Sequence, residues 1–381
     1  MSLEDKVKIR VLSNGKAKQN RGGLWDKFLL WGRRTPERLE NIANEVGKQG
    51  YDVEHRFVED ISEYSEIIRQ YAEKGVDIVY VNGGDGTLRA VMTEAAKQSA
   101  SFAISPMYGG TMNVSAKALN VPRRDGIRIP LTKWKVPLPQ KGFLRDIADG
   151  VIGRWGPDYV LRDAVHRFGR MTKREFIDSH ILNKKVLKID IDEDTHYGFL
   201  FGVGGIIERF FDLYEGNKEG DKPGLWKFAK ITAAGLFSVA VSSFYKTDFY
   251  KWAFEPSEFR LFSTLGSRCQ VHTNTQYFGA AMSSINGELG PLQVFHGVQE
   301  YDPFMYFISG LSDVTPFSIF RYAAKVAFGK RDYPSGILES YRDRVIIVPN
   351  QELGITINGD CWSTDKEIRI TTTTQLFVKY T

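Results

Sequence analysis

The residues best suited to do chemistry are Asn82-Gly83-Gly84-Asp85-Gly86-Thr87 and, some two dozen positions on, Pro106-Met107-Tyr108-Gly109-Gly110-Thr111-Met112-Asn113. Glycines let a backbone approach a phosphate closely. A helix following such a loop adds unpaired N–H groups and positive partial charge. Thr87 and Thr111 supply hydroxyl donors or cap their helices. Asp85 is the informative residue. A carboxylate inside a phosphate-binding loop is repelled by its ligand unless Mg²⁺ lies between them, or unless it binds a sugar or a hydroxyl awaiting deprotonation. Asp85 is thus both the candidate metal ligand and a candidate catalytic carboxylate. Asn82, Gly83, Gly84, Gly86, Thr87, Gly110, Thr111 and Asn113 form the candidate phosphate cradle. One glycine-rich loop is as often a plain turn. Two of them, each after a strand and before a helix, argue against that reading.

Other chemistries are absent from the pattern. There is no GxxxxGK[ST] and no clean GxGxxG, so neither a P-loop enzyme nor a typical dehydrogenase is expected. His55, His166, His180, His196, His272 and His296 show no HExxH and no close metal spacing. No GxSxG elbow occurs. Cys269 and Cys361 are the only cysteines, too few for a disulfide framework, and a reducing cytoplasm is the simplest setting. Cys361 reads as a packed thiol rather than a nucleophile.

The elements that must position these loops follow from the apolar periodicity. Val7 to Leu12 reads as a strand. Thr35 as N-cap and Pro36 at the first helical position open a helix striped by Leu39, Ile42, Ala43 and Val46 and ending near Gly47. Tyr51, Val53, His55 and Phe57 alternate as a second strand. Ser62 caps a helix striped by Tyr64, Ile67, Ile68 and Tyr71. Val76 to Val81 is a buried-type strand running into the first loop, and Leu88, Val91, Met92 and Ala95 carry the next helix. Phe102 to Ser105 is a strand before the second loop. Strand and helix alternating in this way predict a parallel, doubly wound α/β domain over residues 1–125.

Prolines at 122, 130, 137 and 139 break the pattern and mark a boundary. Residues 140–180 read as helical and basic. From Lys185 short strands take over, with turns at Asp192-Glu193-Asp194, Gly266, Gly279, Asn286-Gly287 and Gly297. A helical segment at about 206–250 interrupts them. An all-β sandwich over 140–365 with a helical insertion is the expected second domain.

The chain has 381 residues, with 42% hydrophobic and 25% charged, which excludes wholesale disorder and allows two domains with their own cores. The longest apolar stretch, Ile231 to Phe244, is shorter than the roughly 20 residues a membrane-spanning helix needs. It reads as a core or interfacial helix. Net charge is +5, but between Arg123 and Lys188 there are 16 Lys or Arg against 7 Asp or Glu. That stretch suits an anionic membrane surface, a homodimer face or plain solvent. Phe210, Phe211, Tyr214, Trp226 and Phe228 suit an acyl-chain pocket or an ordinary core. No recognition helix or aromatic-basic platform points to nucleic acid.

Strand-GGDGT-helix, followed by Pro106 and Gly110-Thr111-Met112-Asn113, resembles the catalytic-domain family of diacylglycerol kinases. That family includes bacterial lipid kinases, sphingosine kinases and ceramide kinases, and is distantly related to NAD kinases. His196 to Gly205 and Asn358-Gly359-Asp360 resemble a glycine-containing strand and a DGE-like triplet of its second domain. The resemblance implies a nucleotide-binding α/β domain, a β-sandwich, and a tail from about 366 returning to the first domain. It further implies transfer of the ATP γ-phosphate to a lipid hydroxyl with Mg²⁺, by a cytoplasmic, peripherally membrane-bound kinase.

The departures bear on chemistry. Val114 stands where the lipid-kinase loop has Asp. Asn358 stands for an Asp of the late triplet and Asp360 for its Glu. Asparagine accepts no proton as a base, so base work falls to Asp360. The family's first loop, N-P-x-S-G, is faintly echoed by Ser13-Asn14-Gly15-Lys16, with Lys16 a phosphate partner or a solvated lysine. Two alternatives stay open: a soluble-substrate kinase of the NAD kinase type, and a nucleotide- or lipid-binding protein of the same fold with impaired catalysis.

Overall fold

The computed structural model describes residues 6–15, 35–107, 114–122, 126–128, 135–137, 156–215, 247–286, 304–311 and 336–380, with isolated positions between 227 and 237 and between 288 and 318. It divides into two compact units, residues 1–184 with 375–381, and residues 185–374.

In the first unit, β1 (Ile9–Asn14), β2 (Val53–Val58), β3 (Ile78–Asn82) and β4 (Ala103–Pro106) are all parallel in the order β2-β1-β3-β4. The apolar runs are buried on both faces, as a helix-covered parallel sheet requires. Helices α1 (Thr35–Lys48), α2 (Tyr64–Glu73), α3 (Asp85–Lys97) and α4 (Val114–Ala118) alternate with the strands. The stripe Tyr64, Ile67, Ile68 and Tyr71 is buried, as the 3.6-residue period predicts. Its entry differs from expectation. Asp60, not Ser62, forms the capping box, on a 3₁₀ turn at Ile61–Glu63 that leads into α2. An aspartate side chain preceding the turn reaches the Ser62 N–H, while Glu63 reaches back to the Asp60 N–H.

A short ribbon, β5 (Gly126–Arg128) and β6 (Lys135–Pro137), is antiparallel. Helices α5 (Gly156–Phe168) and α6 (Lys173–His180) belong to this unit, not to the second domain as the proline break suggested. The reason is packing: α5 lies on α1, where Arg38 pairs with Asp158 at 3.1 Å. The tail rejoins the unit at Gln375, later than residue 366. Phe377 pairs with Ile104 of β4, Gln375 Nε2 donates to the Met92 carbonyl, and the Tyr380 hydroxyl lies 2.6 Å from Ser105 Oγ and 3.2 Å from the Tyr80 hydroxyl.

In the second unit the strands are antiparallel. They are β7 (Ile181–Ile191), β8 (Asp194–Gly198), β9 (Leu200–Val203), β10 (Ser257–Leu265), β11 (Arg268–His272) and β12 (Gln276–Ser283), then the ribbon β13 (Glu288–Leu289) and β14 (Leu292–Gln293). β15 (Met305–Leu311), β16 (Ile337–Arg342), β17 (Arg344–Pro349), β18 (Leu353–Ile357), β19 (Asp360–Thr364) and β20 (Ile368–Val378) follow. One ladder runs β19-β18-β9-β12-β15-β16, another β11-β10-β17-β20-β7-β8. Their alternate residues, among them Phe201, Phe259, Tyr277, Phe307, Ile347, Ile355 and Ile368, share one core. Gly279, expected as a turn, lies inside β12 at a register shift against β15, with φ of +144°. Helices α7 (Gly205–Glu215) and α8 (Asp248–Ala253) supply the described ends of the helical insertion. Among the described residues no helix is long and apolar enough to cross a membrane.

Candidate functional site: the loop between β3 and α3

β3 ends on Asn82, and Gly83 and Gly84 carry the chain straight into α3 at Asp85. The helix start is open: Gly84 is extended, with φ −82° and ψ 179°, and offers no side-chain cap. The first N–H groups of α3 therefore point beyond the carboxyl end of the sheet without a side-chain acceptor from the N-cap. Ligands of open parallel sheets bind at such an edge. Gly83 is required by close approach. A Cβ there would stand 2.5 Å from both Cβ and Oγ1 of Thr87. Thr87 is buried and takes a hydrogen bond from Asn14 Nδ2 at 2.7 Å, which ties the end of β1 to the loop.

The Asp85 carboxylate spans to the second glycine-rich segment. Oδ1 accepts the Ser115 N–H at 3.0 Å and Oδ2 the Val114 N–H at 3.2 Å, so one side chain caps the N-terminus of α4 with both oxygens. This tie brings Asp85 and the 114–115 end of that segment together. Lys16, Gly110, Thr111 and Asn113 lie outside the described residues.

Behind the loop sits a polar network that reading along the chain does not reveal. Asn82, fully buried, donates to Ser13 Oγ at 2.9 Å, and Ser13 Oγ lies 2.8 Å from His55 Nε2. Burial pushes His55 down to about 4, so the ring is neutral near pH 7. The three residues come from β1, β2 and β3. The one available signal was the alternation that puts His55 and Phe57 on a common face of β2.

Asp360 opens β19 in the second unit and is partly exposed. It follows a two-residue hairpin turn in which Asn358 and Gly359 both have positive φ, 52° and 91°. Asn358 is nearly fully buried and works as a clasp: its Oδ1 accepts the N–H groups of Phe199 and Leu200 at 2.9 and 3.0 Å, and its own N–H goes to the Leu200 carbonyl. Among the described residues no three His, Cys, Asp or Glu side chains are grouped to hold a metal ion.

A parallel sheet delivers two glycines and an open helix N-terminus to its carboxyl edge, where ligands of such sheets bind. Residues 32–132 match the sequence profile of the diacylglycerol kinase catalytic domain. Two solved structures of proposed diacylglycerol kinases from Bacillus anthracis share the fold. One is 15% identical, with 97% of each chain covered and a TM-score of 0.54; the other is 14% identical, with 96% of each covered and a TM-score of 0.52. No curated protein matches the chain significantly.

Proposed function

We propose that this protein is a lipid kinase that moves the γ-phosphate of ATP to a lipid hydroxyl on a diacylglycerol- or sphingosine-like acceptor, with Mg²⁺. The observation that carries the reading is the cradle from Gly83 to Thr87, shaped by close approach at Gly83 and lying inside the segment that matches the kinase family. Mg²⁺ typically takes one or two carboxylates and completes its shell with substrate phosphates and water. Asp85 alone therefore fits the protein's share of the ligand set. The ion, when bound, neutralises charge on the phosphates.

The chain's own residues position and exchange protons. The N–H groups at the start of α3 hold phosphate oxygens, and Thr87, fixed by Asn14, keeps the loop in register. The lipid oxygen bonds to the γ-phosphorus as the bond to the ADP oxygen breaks. Asp360 takes the hydroxyl proton. The basic stretch from Arg123 to Lys188 suits an anionic membrane surface where such acceptors reside.

A second reading, binding without turnover, draws on Asn358, whose side-chain oxygen is committed to two backbone N–H groups. Mass analysis of products from Mg·ATP with diacylglycerol, sphingosine, ceramide, monoacylglycerol and NAD separates these readings. A phosphorylated lipid supports the proposal, phosphorylated NAD moves the protein to the soluble-substrate kinases, and ATP binding without any product overturns catalysis.

A further inference from the structure

The free edges of the sheets are not alike. β2 carries Glu54 and Arg56, β8 carries Asp194 and His196, β16 carries Glu339 and Arg342, and β19 opens on Asp360. Charges of this kind keep an edge from pairing with another strand. β11 differs. Among the described strands it pairs only with β10, and Arg268, Cys269, Gln270 and Val271 are all exposed, Val271 at 60%. Its one full charge, Arg268, sits beside the turn, and neither a proline nor a bulge interrupts its register with β10.

The backbone fixes how a further strand would pair there. Leu265 and Arg268 face each other across the two-residue turn Gly266-Ser267, so this closing pair exchanges hydrogen bonds. Bonding sides alternate along a strand, so Gln270 and His272 also bond inward to β10, while Cys269 and Val271 turn their N–H and C=O groups outward. The same alternation on β10 sends the Thr264 carbonyl to its other side, where it accepts the Asp343 N–H at 3.0 Å. A two-fold axis through Gln270 sets Cys269 against the partner subunit's Val271, and Val271 against the partner subunit's Cys269. Those two pairs satisfy every outward group of Cys269 and Val271 on both copies. An axis through either neighbouring residue would run one pair past the end of the strand.

Side chains agree with this register. Arg342 of β16 donates to Ser263 Oγ at 2.9 Å and to Gln270 Oε1 at 2.8 Å, which holds Gln270 on the inner face. On the outer face Val271 stands in a row with Phe262 and Ile346, and the partner subunit's Cys269 would extend it. The two Arg268 side chains would lie about 14 Å apart, beyond the Debye length at physiological salt. Pairing with another free edge of this chain would instead set Glu54, Asp194, Glu339 or Asp360 near the row and would propagate head to tail, whereas the two-fold pairing closes.

We propose that the protein is a homodimer formed by antiparallel pairing of β11 with β11 of a second copy about a two-fold axis at Gln270. The inference does not depend on phosphoryl transfer.

Sedimentation equilibrium of the full chain at micromolar concentration should give twice the mass of one chain. Val271→Lys, at an exposed position, should raise the dissociation constant about tenfold or more and leave the fold intact. A second test reads the register. In a Cys361→Ser background, Val271→Cys places a thiol opposite the partner subunit's Cys269 with Cα atoms about 5.5 Å apart, within a disulfide's reach. Mild oxidation should yield a covalent dimer. Adding Cys269→Ser should abolish it, because the remaining thiols are diagonal neighbours about 8 Å apart, too far to bridge. A monomer at every concentration, a dimer that Val271→Lys leaves unchanged, a dimer that forms no cross-link, or cross-linking that persists without Cys269 would each overturn the proposal.

Discussion

Acidification should destabilise the first unit through His55 in a way that one substitution can isolate. Burial holds the ring at about 4, against about 6.5 in an unfolded chain. Between those values the unfolded chain binds a proton that the folded one does not, so stability falls as pH drops through 6.5 and the loss levels off below 4. From pH 7 to pH 5 those two values correspond to about 2 kcal/mol lost to this residue alone. Asp158 acts with the opposite sign. Its carboxyl is pushed up to about 6 by burial, outweighing Arg38 and Arg162, so its folded form binds the extra proton and gains as pH falls. The wild type must therefore be compared with His55→Gln, which keeps a hydrogen-bonding amide beside Ser13 but cannot titrate. Urea denaturation at pH 7, 6 and 5 should show the two proteins converging by about 2 kcal/mol at the acid end. The imidazole C–H resonance of His55 should stay at its neutral position down to pH 5. A midpoint near 6.5, or parallel stability curves, would refute the buried network behind the loop.

Three further outcomes follow from the packing. Gly83→Ala should cost about 2 kcal/mol in denaturant unfolding and sharply weaken ATP binding, because Thr87 must leave its place against Asn14. Asn358→Ala should cost about 3 kcal/mol, since the N–H groups of Phe199 and Leu200 lose their acceptor and a non-glycine residue is left at positive φ. Tyr380→Phe should cost about 1 kcal/mol and raise proteolysis of the tail, through loss of the contacts with Ser105 and Tyr80.

Local signals were legible in the chain where they act over a few residues. The β-branched run into Gly83-Gly84 announced a strand, a loop and a helix, and the four buried apolar positions of α2 followed their period. What was not legible depends on which elements become neighbours. Prolines 122 to 139 show that the alternation stops, but not that α5 returns to pack on α1. Gly279 reads as a turn in isolation, and only pairing with β15 makes it a bulge. Ser13, His55 and Asn82 meet because β1 lies between β2 and β3, an order the sequence does not carry. Asn358 reads as a failed acid within a triplet. In the fold it is the residue that closes the hairpin onto Phe199 and Leu200.

The central claim is tested most directly by transfer of radiolabelled γ-phosphate from Mg·ATP to a lipid acceptor, with the wild type beside Asp85→Asn and Asp360→Asn. Asparagine at 85 keeps an acceptor for the N-terminus of α4, so the fold should survive and the chemistry alone be lost. Label should appear in lipid with the wild type and fall by about 100-fold or more in each variant. Undiminished transfer by Asp85→Asn, or no transfer by a wild type that binds ATP, would contradict the account.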